Sequence, residues 1–219
     1  GTKTHTVKNP DGSTTNTETK GDGSKTETPT ATTPGGSSGS TVTKTDTKGN
    51  SQTEANAKLS DKDVKDAQET GEAVTVPVKD IEAGKDSNSA TEIKIDVPKN
   101  SGKTTVEIPV DNVTSGTVAV IVHPDGTEEI AKSSKPTEDG VQLEIDGSAT
   151  VKIIDNSKDF IDTRDHWSRD EVNFVAAREL FNGVGGNQFG VSQPMTRGMV
   201  NTVLARLAGV DTTPSQGQA

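Results

Sequence analysis

Apolar side chains are almost absent from the first fifty residues, and this absence limits what the chain can fold into. Only Val7, Ala31 and Val42 could contribute to a core there. So few apolar groups do not offset the conformational entropy that is lost when a backbone becomes ordered. Two Asp-Gly pairs, at 11–12 and 22–23, are typical of hairpin turns, but neither face of such a ribbon is apolar. The sequence therefore predicts a disordered, threonine-rich stalk over residues 1–52.

The distribution of charge indicates a second boundary and excludes one class of partner. A formal net charge of −10, without a basic cluster, argues against nucleic-acid binding, which depends on clustered Lys and Arg. All five arginines lie after residue 160, whereas lysine is the only permanently charged basic residue before it. We interpret this shift as a domain boundary near residue 159.

The residues that are missing from the sequence exclude several kinds of site. The chain has no cysteine, so disulfides, thiolate zinc sites and cysteine nucleophiles are excluded. It contains no run of 18 apolar residues and opens without a charged and then apolar leader. We expect no cofactor, no metal ion and no membrane span. The chain is interpreted as an interior fragment whose signal peptide, if it had one, has been removed.

Residues 53–158 show the alternation of a small β domain. A short helix is predicted first, with Ser60 as its N-cap and Gly71 at its end. Val, Ile and Leu then recur at every second position, which puts one apolar face inward. Pro77 and Pro109 are expected at sheet edges or bulges. The pattern predicts a small, mainly-β spacer domain that forms an antiparallel sandwich or barrel, with strands at 73–78, 91–97, 105–110, 117–122, 128–131, 141–145 and 149–154.

The period becomes helical after residue 159. Ser168 and Glu171 have the spacing of a capping box, which predicts that a helix begins there and ends in the glycine-rich stretch 182–186. Thr196 is predicted to cap a second helix that stops near Gly209. The predicted inner faces are Val172, Val175, Ala176 and Leu180 in the first helix and Met199, Val200, Val203, Leu204 and Leu207 in the second.

The aromatic residues collect in this C-terminal stretch, where little chain is available to form a core. Large side chains can compensate for a small core. We therefore expect a helix–loop–helix whose core is closed by Phe160, Trp167, Phe174, Phe181 and Phe189.

These residues resemble a known family. Phe160-x-Asp162, His166-Trp167, a helix, Gly183, Phe189 and then Met195-Thr196-Arg197 at the start of a second helix are similar to one S-layer homology repeat, a module that anchors proteins to bacterial cell walls. The resemblance assigns residues 159–211 to such a repeat and leaves 212–219 as a linker. The chain departs from the family pattern at Met199, Gly190 and Val191.

The resemblance implies a fold and a ligand. The family uses three repeats in a pseudo-threefold bundle and binds secondary cell-wall polysaccharide, often through pyruvylated amino sugars. By resemblance, the ligand-binding positions are Asp162, Trp167, Gly183 and Arg197. Further repeats in a longer chain are implied as partners, and the implied location is extracellular, at the cell wall of a Gram-positive bacterium.

The chemistry of these residue types fits such roles, although simpler interpretations stay open. A guanidinium in the first turn of a helix can grip a carboxylate with two parallel hydrogen bonds, and an indole offers a flat face to a sugar. Trp167 could equally fill the core, Arg197 could be a solvated residue, and Asp162 could only orient the turn before Trp167. Asp155–Asp159 lacks the glycine and glutamate of an EF-hand loop, and residues 183–188 lack the last glycine of a dinucleotide fingerprint.

The predicted function is non-enzymatic, non-covalent anchoring of a surface protein to the cell wall. Two rival hypotheses remain. In one, the β domain is an adhesin module that binds host or glycan ligands, although no aromatic residue lies in it. In the other, the chain is a piece of a wall-modifying enzyme whose catalytic domain lies elsewhere.

Overall fold

The computed structural model describes residues 1–79, 81–210 and 212, and in them the fold is mainly β. Of the linker predicted at 212–219, only Thr212 is described, and Asp211, the predicted end of the repeat, also lies outside the described residues. The strands are β1 Lys3–Lys8, β2 Thr14–Thr19, β3 Lys25–Thr32, β4 Ser38–Thr45, β5 Ser51–Lys58, β6 Val74–Thr75, β7 Ile81–Glu82, β8 Glu92–Asp96, β9 Lys103–Asp111, β10 Thr117–Val122, β11 Glu128–Ile130, β12 Lys135–Pro136, β13 Gly140–Asp146 and β14 Ala149–Asp155. The helices are α1 Asp61–Thr70, α2 Arg169–Ala177 and α3 Arg197–Leu207, and a 3-10 turn spans Ile161–Thr163.

The strands pair into a nine-stranded sheet and a five-stranded sheet. The larger sheet has the order β1-β2-β3-β4-β5-β8-β14-β10-β11, and the smaller has the order β12-β13-β9-β6, with β7 also paired to β9. Apolar residues of both sheets, among them Ile93, Ile153, Ile108 and Leu143, are buried in one cluster. The two sheets confirm the predicted mainly-β, sandwich-like fold, and each of the seven predicted runs contains a strand, but the larger sheet also includes strands that lie before residue 53.

The prediction of a disordered stalk at residues 1–52 was wrong. Strands β1 to β5 form an antiparallel meander that continues the larger sheet. The outermost strand, β1, is exposed along its whole length, so it is held by backbone hydrogen bonds and not by a core. A count of apolar residues misses this arrangement, because strands added to an existing sheet edge do not need a core of their own.

Five turns of one kind join neighbouring strands of the larger sheet and fix their register. In each turn the first residue donates its amide to the fifth and accepts from a glycine at the fourth position. The five glycines have φ between 84° and 99°, a region that L side chains rarely adopt. Four of the turns belong to the meander, at 9–13, 20–24, 33–37 and 46–50, and the fifth, at 123–127, joins β10 to β11.

The meander contacts the sandwich at several places, two of which involve β5 and the turn at 33–37. Ala55 and Ala57 of β5 are buried in the core cluster, where β5 pairs with β8. The turn at 33–37 lies on the start of α1, where the Asp63 carboxylate accepts hydrogen bonds from the hydroxyls of Thr33 and Ser37. Burial acts to raise the pKa of Asp63, but these hydrogen bonds outweigh it and the pKa is lowered.

The sequence predicted antiparallel strand pairing, but three strand pairs are parallel. β5 pairs with β8 in parallel, and so do β6 and β7 with β9. The connection from β5 to β8 passes through α1 and the smaller sheet, which allows the parallel direction. Pro109 lies inside β9, between the residues that pair with β6 and those that pair with β7, so its missing N–H falls where the neighbouring strand changes.

Helix ends were predicted with mixed success. Ser60 caps α1 by accepting from the Asp63 amide, and Gly71 ends this helix in the left-handed region, as predicted. α2 begins at Arg169, but the predicted capping box is not formed because the Ser168 hydroxyl bonds to Nδ1 of His166 instead. α2 also ends at Ala177, before the predicted glycine-rich stretch, and Glu179 adopts a φ of 57°.

The second helix of the repeat differs most from the prediction. Thr196 caps α3 by accepting from the Met199 amide at 3.2 Å, as predicted. No residue of α3 is buried, however, and four of the five residues of the predicted inner face are exposed, whereas Val203 is half-buried. Leu204 is 58% exposed and Leu207 is 55% exposed. The described part of the chain contains no surface that covers this face.

Candidate functional site

Asp162 organises the loop that precedes α3. The residue lies in the 3-10 turn Ile161–Thr163, and its carboxylate accepts from the amides of Phe189 and Gly190, each at 2.8 Å, and of Val191 at 3.4 Å. The bond from the Phe189 amide is the main reason that the pKa of Asp162 is lowered. The carboxylate therefore connects the start of the repeat to the loop after Gly183.

Gly183 is required by the close packing of that same loop. Its φ is 75°, and a Cβ at this position would lie 2.5 Å from the Gln188 carbonyl oxygen and 3.0 Å from Cε1 of Phe160. The neighbouring Val184 amide donates to Gln188 at 2.9 Å, which closes the loop. Asp162 and Gly183 thus hold the two ends of residues 188–190, so the structure brings these two predicted positions together.

Three of the predicted aromatic residues form a cluster beside this loop. The ring centroids of Phe160 and Phe189 are 5.4 Å apart, and those of Phe181 and Phe189 are 5.8 Å apart. Trp167 lies elsewhere and is 83% exposed, so the expectation that it helps to close the core was wrong. Its ring is 5.4 Å from that of His166, which is itself fixed by its hydrogen bond to Ser168.

Arg197 lies in the first turn of α3 and is exposed. The residue follows the cap residue Thr196 directly and so lies at a helix start, where free backbone amides favour an anion. Across residues 1–79, 81–210 and 212, no side-chain hydrogen bond or ion pair connects Arg197 or Trp167 to Asp162. The four predicted positions therefore form one linked pair and two separate exposed side chains.

Sequence reasoning missed Arg178, which is the most deeply buried charged residue among the residues that the structure describes. Its side chain has no solvent exposure, and the guanidinium donates to the carbonyl oxygens of Ser134 at 2.7 Å and of Ser115, Thr117 and Phe174 at 3.0 Å each. The guanidinium carbon also lies 3.8 Å from the centroid of the Phe174 ring. Burial lowers the pKa of Arg178 to about 10, so the group stays charged at neutral pH. The one feature of the sequence that could have indicated this burial is the position of Arg178 directly after the apolar residues Ala176 and Ala177 of α2.

Arg178 belongs to an interface between the repeat and the sandwich. Ala177 packs with Val118, Val120 and Ile154, which lie on β10 and β14 and face away from the main core. The Asn156 side-chain amide donates to the Ala177 carbonyl at 2.6 Å. One face of α2 is therefore covered by the larger sheet, and the repeat and the sandwich are held together by both apolar and polar contacts.

The described residues offer few other kinds of site. No group of three or more His, Cys, Asp or Glu side chains in them could hold a metal ion. Among the helices of residues 1–79, 81–210 and 212, none is long and apolar enough to cross a membrane.

Comparison with known proteins identifies one part of the chain. Residues 159–198 match the family model of the S-layer homology domain. This match begins just before the 3-10 turn that contains Asp162 and ends in the first turn of α3. Such domains are generally involved in anchoring proteins to the cell wall by binding wall polysaccharides, and they indicate an association with the cell surface. Neither a curated protein nor a solved structure matches the chain significantly.

Proposed function

The chain is an S-layer homology domain-containing protein, and from this premise we propose that it holds a surface protein on the cell wall of a Gram-positive bacterium by binding secondary wall polysaccharide without covalent attachment. The observation that carries the proposal is the family match over residues 159–198. The proposed role is equilibrium binding, without catalysis.

Two exposed side chains are the proposed ligand contacts. Trp167 presents an indole that is 83% exposed, and a flat apolar ring of this kind suits the C–H face of a sugar. Arg197 presents an exposed guanidinium beside the free amides at the start of α3. The guanidinium would bind a carboxylate, such as that of a pyruvate ketal, through two parallel hydrogen bonds, and the amides at the helix start would favour the same anion.

Asp162 and Gly183 have a different proposed role. The Asp162 carboxylate already accepts three backbone amides, and Gly183 allows the close approach of the 188–190 backbone. We therefore assign both residues to shaping the loop. Their effect on glycan binding would be exerted through the loop that leads to Arg197.

Further repeats are proposed as partners of α3. Its apolar residues are open to solvent, with Met199 38% exposed and Leu204 58% exposed. A second and a third repeat would cover such a face and would raise the effective concentration of binding sites at the wall. The sandwich and the meander would then act as a spacer ahead of the anchor.

Co-sedimentation with purified Gram-positive wall sacculi tests this function. The wild-type chain, Arg197→Ala and Trp167→Ala would be compared on sacculi with and without their secondary polysaccharide. We expect polysaccharide-dependent binding that each substitution weakens by about tenfold while circular dichroism stays unchanged, since both side chains are exposed. Lys99→Ala serves as the control for loss of one exposed positive charge. Binding that does not depend on the polysaccharide, or that survives both substitutions, contradicts the proposal.

A further inference from the structure

A cavity of 710 Å³ lies between the sandwich and the repeat. Lys132 and Lys158 of the sandwich side line it, together with Phe181, Asn182 and Asn187 of the repeat. Small-molecule sites commonly have volumes of about 300–1,000 Å³, so the cavity can accommodate one or two sugar rings. It is distinct from Trp167 and Arg197, which do not line it.

Among the described residues that line the cavity, positively charged side chains outnumber negatively charged ones. Lys132, Lys158 and Arg206 contribute three positive charges to the wall. Of the two carboxylates there, Asp159 is already paired with Arg164 at 2.5 Å, which leaves Glu179. This local excess is unusual in a chain with a net charge of −10. A concave surface with one dominant sign of charge concentrates ligands of the opposite sign.

The other lining groups suit a saccharide. Asn182 and Asn187 carry amides that can both donate to and accept from hydroxyl groups. Phe160 and Phe181 add half-buried aromatic rings to the same wall. Aromatic faces, amides and cations together are the groups that an acidic sugar would need.

The walls of the cavity are fixed in position before any ligand arrives. Arg178 ties the end of α2 to the carbonyls of Ser134 and Thr117, and Asn156 bonds to Ala177. Arg206 is itself oriented by a bond of 3.1 Å from Nη1 to the Leu180 carbonyl. A site held in this way loses little conformational entropy when it binds.

We propose that this cavity is a second binding site, for an anionic saccharide unit of the wall polysaccharide. The inference rests on the proposed anchoring function and adds to it a contact supplied jointly by the sandwich and the repeat. The spacer would then take part in glycan recognition, and one repeat would make two contacts with the same polymer.

A titration followed by ¹⁵N NMR tests the site directly on the 219-residue chain. The probes are trigalacturonic acid, which carries carboxylates, glycerol phosphate teichoic acid, which carries phosphates, and neutral maltotriose. We expect the side-chain amide signals of Asn182 and Asn187 to shift with one or both acidic probes and not with maltotriose. The response to the two acidic probes tells which anion the site accepts. Equal shifts with maltotriose, or no shift with either acidic probe, would overturn the proposal.

Two matched double variants separate the site from a general effect of charge. Lys132→Gln with Lys158→Gln removes two positive charges from the cavity, whereas Lys99→Gln with Lys135→Gln removes two exposed charges elsewhere. We expect the first pair to weaken binding of the acidic probe by about tenfold and the second to leave it unchanged. Equal weakening by both pairs, or none by the first, would overturn the proposal.

The same variants distinguish a failure of this site from a failure of the anchoring function. Wall binding that requires Arg197 but is unchanged by the cavity variant would overturn the second site alone. Absence of wall binding by the wild type, with lysine-dependent binding of the acidic probe, would overturn the anchoring function alone.

Discussion

Arg178 donates from Nε to the carbonyl oxygen of Ser134 at 2.7 Å, and this bond connects the S-layer homology repeat to the sandwich. Three further carbonyls accept from the same guanidinium, so a single side chain satisfies four backbone groups. A linker would leave the repeat free to rotate. Here the repeat and the sandwich are joined by these bonds and by the apolar contacts of Ala177.

Replacement of Arg178 should destabilise the protein strongly. Arg178→Met keeps much of the apolar length but leaves four carbonyls without their donor, and a buried unsatisfied polar group costs about 1–3 kcal/mol. We expect a loss of about 3 kcal/mol or more in the free energy of unfolding, measured by urea denaturation. Arg169→Met, an exposed arginine at the start of the same helix, is the control and should change it by less than about 0.5 kcal/mol. Similar values for the two variants would contradict the role of Arg178.

Asp162 should make the stability of the repeat depend on pH. Its pKa is lowered from 3.8, so the ionised carboxylate stabilises the fold above this pH, and the contribution is lost as the pH falls through the lowered value. Asp162→Asn should lower the melting temperature at pH 7, because an amide cannot accept the three backbone bonds in the same way. The difference from the wild type should shrink at lower pH.

Thermal melts at several pH values measure this effect. Asp165→Asn, an exposed neighbour, is the control and should melt like the wild type at every pH. A constant difference between Asp162→Asn and the wild type from pH 7 down to the acid transition would contradict the assigned role of the carboxylate.

What the sequence could predict was local. Ser60, Gly71 and Thr196 were recognised as helix ends because a cap depends on a few neighbouring residues, and the strands of the sandwich were recognised by their period of two. The cap at Ser168 failed because His166, two residues earlier, competes for the same hydroxyl. Even a local capping signal therefore depends on whether a neighbouring side chain competes for the capping hydroxyl.

What could not be predicted depends on contacts between distant residues. The strands of residues 3–58 are stabilised by pairing with the edge of β8, which comes later in the chain. They are also stabilised by the hydrogen bonds that the Asp63 carboxylate accepts from the turn at 33–37. The partners of Arg178 are the carbonyls of residues 115, 117 and 134 on the sandwich, together with Phe174 in its own helix. At the candidate site, the resemblance to the family identified Asp162 and Gly183 as site residues. It did not predict that the two residues contact the same loop at its two ends.

The meander can be tested at one of its turn glycines. Gly49 has φ of 86° and an added Cβ would meet no atom within 4 Å, so Gly49→Ala introduces backbone strain and nothing else. We expect the β4–β5 hairpin to lose about 1–2 kcal/mol of protection in amide hydrogen exchange, with the core strand β14 unchanged. Lys48→Ala lies in the same turn at an ordinary φ and is the control. Fast exchange throughout residues 3–58 in the wild type would show that the meander is not ordered.

The two helices of the repeat should respond differently to the same substitution. Val172 on α2 is 5% exposed, whereas Val200 on α3 is 41% exposed. Val172→Ala removes two buried methyl groups and should lower the free energy of unfolding by about 2 kcal/mol, while Val200→Ala should change it by less than about 0.5 kcal/mol. Urea denaturation of both variants measures the contrast. Equal losses would mean that α3 is covered in solution, and the face assigned to further repeats would then already be occupied within this chain.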